Sequence, residues 1–296
     1  MSSIPQAILQ KLEELEPSVS FTGTLPRVMS SSGTLYFVKL GSSSEVEQYI
    51  GEAESLKAVN DAAPGLAPRL LCCEVLKSGA PIFISEYKDI GSLSNKAAGV
   101  LAKRMAAELH SEDHTSAHGY GFSIPTYCGI TRLSNGWFQS WDECYAAMVG
   151  DLLGQLERKG HYQTLCQKGE VVKNQVIPKL LGGLVPSHHS FLQQLRSGNA
   201  GVDKANGQPV IFDPASYYGH NEADLSIARI FGGFPESFFE TYHQYLPKSE
   251  PVDQYELRMD LYELFHYLNH TLIFGGHYSR SAERKMDTLV SALPHL

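Results

Sequence analysis

The sequence predicts an α+β protein of two lobes, a small sheet carrying one helix followed by a mainly helical remainder. Three observations lead there. Short segments rich in β-branched and aromatic residues, alternating with period 2, are concentrated before residue 90. From Ser92 onward the apolar residues recur with helical spacing. The chain has 296 residues, enough for two packed units, and its 43% hydrophobic and 19% charged composition, with 15 Tyr and 13 Phe, is that of a compact protein rather than a disordered one.

Ile4, Ile8, Leu12 and Leu15 recur at helical spacing between Pro5 and Pro17, which predicts an opening amphipathic helix. The period then changes. Gly33 to Leu40, GTLYFVKL, reads as a strand whose alternation places Leu35, Phe37 and Lys39 on one face, so a lysine shares a largely apolar face. Val46, Tyr49, Ile50, Ala53 and Leu56 mark a helix ending before the loop Asn60 to Pro68, and at 100° per residue Glu52 flanks that stripe. RLLCCEVL and APIFISEY read as two further strands, with Gly79 and Pro81 in the hairpin turn between them.

In the helical part, Ala98, Leu101, Ala102, Met105 and Leu109 form one stripe, and Leu257, Leu261, Leu264, Leu268 and Leu272 another. Two stretches interrupt it: a Pro/Gly/aromatic loop from His118 to Trp141, and a strand pair around Asn199 to Ser216 with Asn206 and Gly207 as its turn. The expected division is an N-lobe over residues 1–89 and a helical C-lobe over 90–296.

With 32 Asp plus Glu against 24 Lys plus Arg, the net charge of −8 argues against a nucleic-acid partner. Cys72, Cys73, Cys128, Cys144 and Cys166 are odd in number and lack C-x-x-C spacing, so they read as cytosolic thiols rather than a disulfide framework or zinc ribbon. The N-terminus has no basic start followed by an apolar run, and no stretch approaches 18 apolar residues; a soluble, cytoplasmic protein without a membrane partner is expected. The oligomeric state stays open. His110, His114 and His118 stand four residues apart, a spacing that can place zinc ligands on one helix face, but the H-E-x-x-H pattern is absent. A solvated helix end with histidines near its C-terminal dipole is the better reading.

A lysine on a strand, a glutamate on the following helix, a helical lobe, and then Asn199 followed 14 residues later by Asp213 is the order of parts in protein kinases. Phosphoryl transfer is mostly positioning and charge neutralisation: a strand lysine grips the nucleotide phosphates, a helix glutamate orients it, and an Asn and an Asp hold magnesium. The strings RSGNAG, then PVIFDPASYYGHNEADLSIARIFGGFPESFFETYHQYLPK, then LYELFHYLNH, with YFVK, GEAESL, GYGF, NGW and FISEY in support, resemble the fructosamine/ketosamine-3-kinase family across essentially the whole chain. That family belongs to the aminoglycoside-phosphotransferase-like branch of the kinase fold.

The resemblance implies a protein-kinase-like two-lobed fold and ATP-dependent phosphorylation of the 3-hydroxyl of ketosamines, ribulosamine or fructosamine adducts on protein lysines or small ketosamines. The product is unstable, and loss of the sugar restores the amine. Lys39 then matches the nucleotide-phosphate lysine and Glu52 its partner, Glu86 and Tyr87 fall at the hinge that receives adenine, and Asn199 and Asp213 match the Mg²⁺ ligands. Asp224 reads as a structural brace, and Trp137 and Trp141 as either core or acceptor-facing.

Two departures stand out. The phosphate-covering stretch, FTGTLPRVMSSSG, has only Gly23 and Gly33, with Pro26 between them, where the family carries paired glycines. The family's catalytic loop reads HGD, two variable residues, then SGN, whereas this chain has Leu192, Gln193 and Gln194 in those three positions. Gln194 stands where the catalytic aspartate belongs and cannot take up a proton at neutral pH, a function worth about 10² to 10⁴ in rate. His188 and His189 in the longer preceding stretch are substitute bases to consider. The alternative implied by Gln194 is a pseudokinase that binds nucleotide without turnover.

Overall fold

The computed structural model describes residues 4–111, 116–184, 190–192, 197–230 and 232–296, with the backbone alone at 190–192 and 197. Helix α1 (Gln6–Leu15) is followed by strands β1 (Phe21–Thr24), β2 (Arg27–Ser30) and β3 (Leu35–Leu40), helix α2 (Val46–Ala62), and strands β4 (Leu70–Val75) and β5 (Pro81–Glu86). These strands form one antiparallel sheet of order β1-β2-β3-β5-β4. Alternation along β3 separates two functions. Tyr36 and Val38 point into a small core with Val28, Ile82, Ile84 and residues Ile4, Ile8 and Leu12 of the opening segment, while Leu35, Phe37 and Lys39 are half-buried on the other face.

Helix α2 covers one end of that second face, burying Tyr49, Ala53, Leu56 and Val59. It extends to Ala62, past the expected end, and Ile50 of the expected stripe is 40% exposed. The buried side is instead shared with Gly51 and Ser55, small residues that a search for large apolar side chains overlooks.

Past the short β6 (Ile90–Gly91) come α3 (Asn95–Arg104), β7 (Tyr120–Phe122), β8 (Thr126–Cys128), β9 (Thr131–Leu133), β10 (Gly136–Phe138), α4 (Trp141–Arg158), α5 (Gln163–Val171) and α6 (Ile177–Leu181). Then follow β11 (Ser190–Leu192), β12 (Ala200–Asp203), β13 (Pro209–Ile211), β14 (Tyr217–Gly219), α7 (Glu222–Ile230), α8 (Glu236–Tyr245), α9 (Tyr255–Phe274) and α10 (His277–Ala292). The apolar stripes hold: Ala98, Leu101, Ala102, Met105 and Leu109 are buried, as are Leu261, Leu264, Leu268 and Leu272, with Leu257 partly buried.

The stretch from His118 to Trp141 is not a loop but four short strands. Strands of three residues are too short to show alternation, and their glycines disguise them. One of those glycines is required: Gly121 has φ 118°, and a Cβ there would sit 1.8 Å from the Gly136 carbonyl oxygen on the neighbouring strand. Strands β10, β7, β14 and β11 form one sheet, β13, β12 and β6 another, and β8 and β9 a separate hairpin. No helix among the described residues is long and apolar enough to cross a membrane.

Candidate active site

Lys39, Glu52, Asn199 and Asp213, which lie far apart in sequence, line one cavity of about 180 Å³ together with Gln48, Tyr127 and Gly129. The strand, the helix and the segment after β13 each deliver one charge. Lys39 Nζ donates to both carboxylate oxygens of Glu52, at 2.9 and 3.1 Å, and to Asp213 Oδ1 at 3.0 Å. Lys39 and Glu52 are 25% and 16% exposed at their side chains, whereas Asp213 is 54% exposed and faces the open cleft.

Burial alone would lower the Lys39 pKa, but the carboxylates of Glu52 and Asp213 outweigh it and hold the ammonium above its ordinary value. Glu52 is held above the usual carboxylate range chiefly by its own burial, which the lysine opposes. Glu52 and Asp213 therefore fix the lysine ammonium at the cleft from two sides.

Asp213 adopts φ 48°, the left-handed region that a residue with a Cβ rarely occupies. Its surroundings hold it there. Asn199 Nδ2 donates to the Asp213 carbonyl at 3.2 Å, Phe212 N–H donates to the Asn199 carbonyl at 2.9 Å, and Ser216 N–H donates to Ser55 Oγ of α2 at 3.1 Å. Asn199 thus commits its amide nitrogen to the backbone, which leaves its amide oxygen to accept a hydrogen bond or ligate a cation. Two hard oxygen ligands suit a divalent cation such as Mg²⁺.

Glu86 and Tyr87 are not part of this cavity. They line a second depression of about 400 Å³ with Arg27, Leu35, Lys88 and Asp203, and its lining shares no residue with the first. The Glu86 carboxylate is bound by Lys88 at 2.7 Å, and the Tyr87 N–H is donated to Leu35 O at 3.3 Å. The stretch expected to cover the phosphates is tighter than its length suggests, because β1 and β2 pair up to Thr24 opposite Arg27 and only Leu25 and Pro26 turn between them. Pro26 has no N–H to offer, and its carbonyl accepts from Val38 N at 2.7 Å. Gln194, Gln193, His188 and His189 lie outside the described residues; Leu192, between the two pairs, pairs with Tyr217 across β11 and β14.

The segment after Asp213 is braced from below. Asp224 is fully buried, with its Oδ2 3.4 Å from His110 Nε2, and His110 Nδ1 shares a hydrogen bond of 2.6 Å with Tyr242. His110 is therefore a core residue and not part of a solvated helix end; an apolar stripe search does not register a histidine that packs inward. His114 lies outside the described residues, and among the described residues no group of three or more His, Cys, Asp or Glu side chains is placed to hold a metal ion. Glu222 and Arg258, both fully buried, make a two-point ion pair at 2.7 and 3.1 Å. Trp141 is buried in the core, stacked on Tyr217 at 6.1 Å and donating to Tyr262 OH at 2.9 Å. Trp137 is half-buried between His118 and Tyr218 on the sheet that carries β11. All five cysteines are outside disulfides.

Sequence reasoning missed Gln48, Ser55, Tyr127 and Gly129. One signal was present: Gln48, Glu52 and Ser55 are spaced to share a helix face, and a polar face buried against another part of the chain is unusual.

The profile of the fructosamine kinase family matches residues 22–292. A chloroplastic protein-ribulosamine 3-kinase of Arabidopsis thaliana is 36% identical over 259 residues, covering 87% of this chain and 77% of that protein. The ketosamine-3-kinase of Mus musculus is 32% identical over 275 residues, covering 86% and 87%. Among solved structures, a Haemophilus somnus protein assigned as a fructosamine-3-kinase superposes with a TM-score of 0.77 at 19% identity, over 96% of both chains. The aminoglycoside phosphotransferase APH(4)-Ia, in ternary complex with AMP-PNP and hygromycin B, superposes with a TM-score of 0.62 at 15% identity, over 97% of this chain and 99% of its own.

Proposed function

The chain belongs to the fructosamine kinase family, and from that premise we propose that it transfers the γ-phosphoryl group of ATP to the 3-hydroxyl of a ketosamine. The substrates are ribulosamine or fructosamine adducts on protein lysines, or small ketosamines. The observation that carries the reading is the Lys39 ammonium held between Glu52 and Asp213 in one cleft. In this role Lys39 draws the nucleotide phosphates into line, Glu52 fixes Lys39, and the hinge backbone near Glu86 borders the adenine, with the Tyr87 N–H already spent on Leu35.

Asn199 and Asp213 would hold Mg²⁺ through their side-chain oxygens. When bound, the ion neutralises charge on the phosphates. Without an aspartate at position 194 the acceptor hydroxyl lacks its usual base. Because the transition state is loose and catalysis is mostly positional, the expected consequence is slow turnover rather than none. Binding without turnover rests on Gln194 alone; family membership favours the kinase.

The test is incubation with Mg·ATP and a ribulosamine-bearing peptide, with the phosphorylated adduct followed by mass spectrometry and Lys39→Ala as control. Saturating Mg·ATP, at about 100 times its dissociation constant, adds about 2.7 kcal/mol to folded stability and should raise the melting temperature. Absence of both the adduct and the thermal shift would overturn the reading; the shift without the adduct would leave the pseudokinase.

A further inference from the structure

Helix α2 carries Glu52, so whatever fixes α2 fixes the Lys39 pair. Its partners beyond the sheet come from the C-lobe. The β8–β9 hairpin lies along the N-terminal half of the helix: Arg132 grips Glu47 with two bonds, Nε to Oε1 at 2.6 Å and Nη2 to Oε2 at 3.0 Å, and Tyr127 OH donates to the same carboxylate at 2.7 Å. One turn on, Gly51 meets the Pro125 carbonyl so closely that a Cβ would stand 2.6 Å from the oxygen. On its far side the hairpin is anchored to α9, where Asn269 Nδ2 donates to Cys128 O at 3.3 Å. The hairpin therefore spans from the helix that bears Glu52 to the core of the opposite lobe.

We propose that Arg132 and Tyr127 are positioning residues for phosphoryl transfer, acting through Glu47 to hold α2 where Glu52 reaches Lys39. The inference rests on the nucleotide-site reading of Lys39 and Glu52. The Arg132 and Glu47 side chains are 46% and 43% exposed, and exposed ion pairs add little to global stability even when their geometry is good. A two-point contact with a tyrosine as third member is the geometry of a pair that fixes an orientation. Glu47 is held below the usual carboxylate range, first by the Arg132 bond and then by Tyr127, so it is charged throughout the working pH range.

The experiment is a cycle on the full chain. Arg132→Ala combined with Tyr127→Phe should weaken Mg·ATP binding, measured by calorimetric titration, by about 5-fold or more while leaving the melting temperature nearly unchanged. The swapped pair, Glu47→Arg with Arg132→Glu, should restore most of the affinity. In a Lys39→Ala background the double substitution should change affinity by less than about 2-fold, because the helix then has no lysine to orient. An equal loss in both backgrounds, or no loss in the parent, would overturn the proposal. If Lys39→Ala alone left affinity unchanged, the nucleotide-site reading itself would fall, and the inference with it.

Discussion

Acidification should destabilise this protein through one identifiable histidine. His220 is buried beside the segment that follows Asp213, and burial depresses its pKa to about 4. Trp141 Nε1 donates to Tyr262 OH, which leaves the tyrosine proton for His220 Nδ1 at 2.8 Å; His220 Nε2 then carries the proton and donates to Ser249 Oγ at 2.7 Å. The neutral ring satisfies both neighbours, and a second proton has no acceptor left on the Tyr262 side. In the unfolded chain the same histidine titrates near its ordinary value of about 6.5. Between those two values the unfolded state binds more protons, so stability is full above pH 6.5 and is lost as pH falls toward 4. At pH 5 the loss from this group is about 2 kcal/mol, nearing about 3 kcal/mol at pH 4. With an unfolding entropy of about 2.1 cal/mol/K per residue, the pH 5 loss lowers the melting temperature by about 3 °C. His220→Gln keeps a donor and an acceptor but cannot titrate. The drop in melting temperature between pH 7 and pH 5, followed by circular dichroism, should be about 3 °C smaller in the variant. An identical drop in the two proteins would refute the assignment, since every other titrating group is common to both.

Two further outcomes test the chemistry. Lys39→Ala and Glu52→Ala should be non-additive for Mg·ATP binding, with a coupling of about 1.5–3 kcal/mol, the range for a charge-assisted hydrogen bond; additive losses in a titration would mean that the pair does not act as a unit. Replacing residues 188–194 by a family-length HGD loop should raise ketosamine phosphorylation by at least about 10² over the parent in a coupled ADP-release assay, and an unchanged rate would show that Gln194 is not what limits turnover.

The two lobes were legible because their periods differ and their elements are long enough to show it. Lys39 could be placed on its face from the alternation of Leu35, Phe37 and Lys39, and Glu52 from its angle to Tyr49, Ala53 and Leu56. That Lys39 meets Glu52 and Asp213 together is a tertiary fact, expected from the order of parts but not from any local pattern. What escaped reading has physical causes. Strands β7 to β10 hold three residues each and turn on glycines, so they carry no measurable period. His110 and Trp141 have polar atoms whose buried partners, Tyr242 and Tyr262, come from helices more than a hundred residues away. Gln48, Gly51 and Ser55 form a helix face without large apolar groups, because it packs on the polar edge of a hairpin and the Asp213 segment rather than on a core.

The two departures read in the sequence touch both ends of the proposed transfer, the loop over the phosphates and the base for the acceptor. The groups proposed to place and neutralise the phosphates, Lys39, Glu52, Asn199 and Asp213, line one cavity and are connected, each from a different part of the chain. Position 194 offers no carboxylate, and the β1–β2 turn of Leu25 and Pro26 has no proline N–H to give a phosphate. Backbone amides over a phosphate share out its charge; on the proposed reading, fewer of them would leave more of the electrostatic work to Lys39 and to an ion held by Asn199 and Asp213. That places a premium on keeping Lys39 oriented before the nucleotide arrives. The Glu52 bond, the Ser55 contact to Ser216 and the hairpin grip on Glu47 all meet that requirement from the C-lobe side or through α2. A rigid lysine can offset a sparse phosphate loop, since both act by supplying positive potential at a fixed point. It cannot offset a missing base, which must move a proton, so the cost of this chain's substitutions is expected in the rate of transfer more than in the binding of nucleotide.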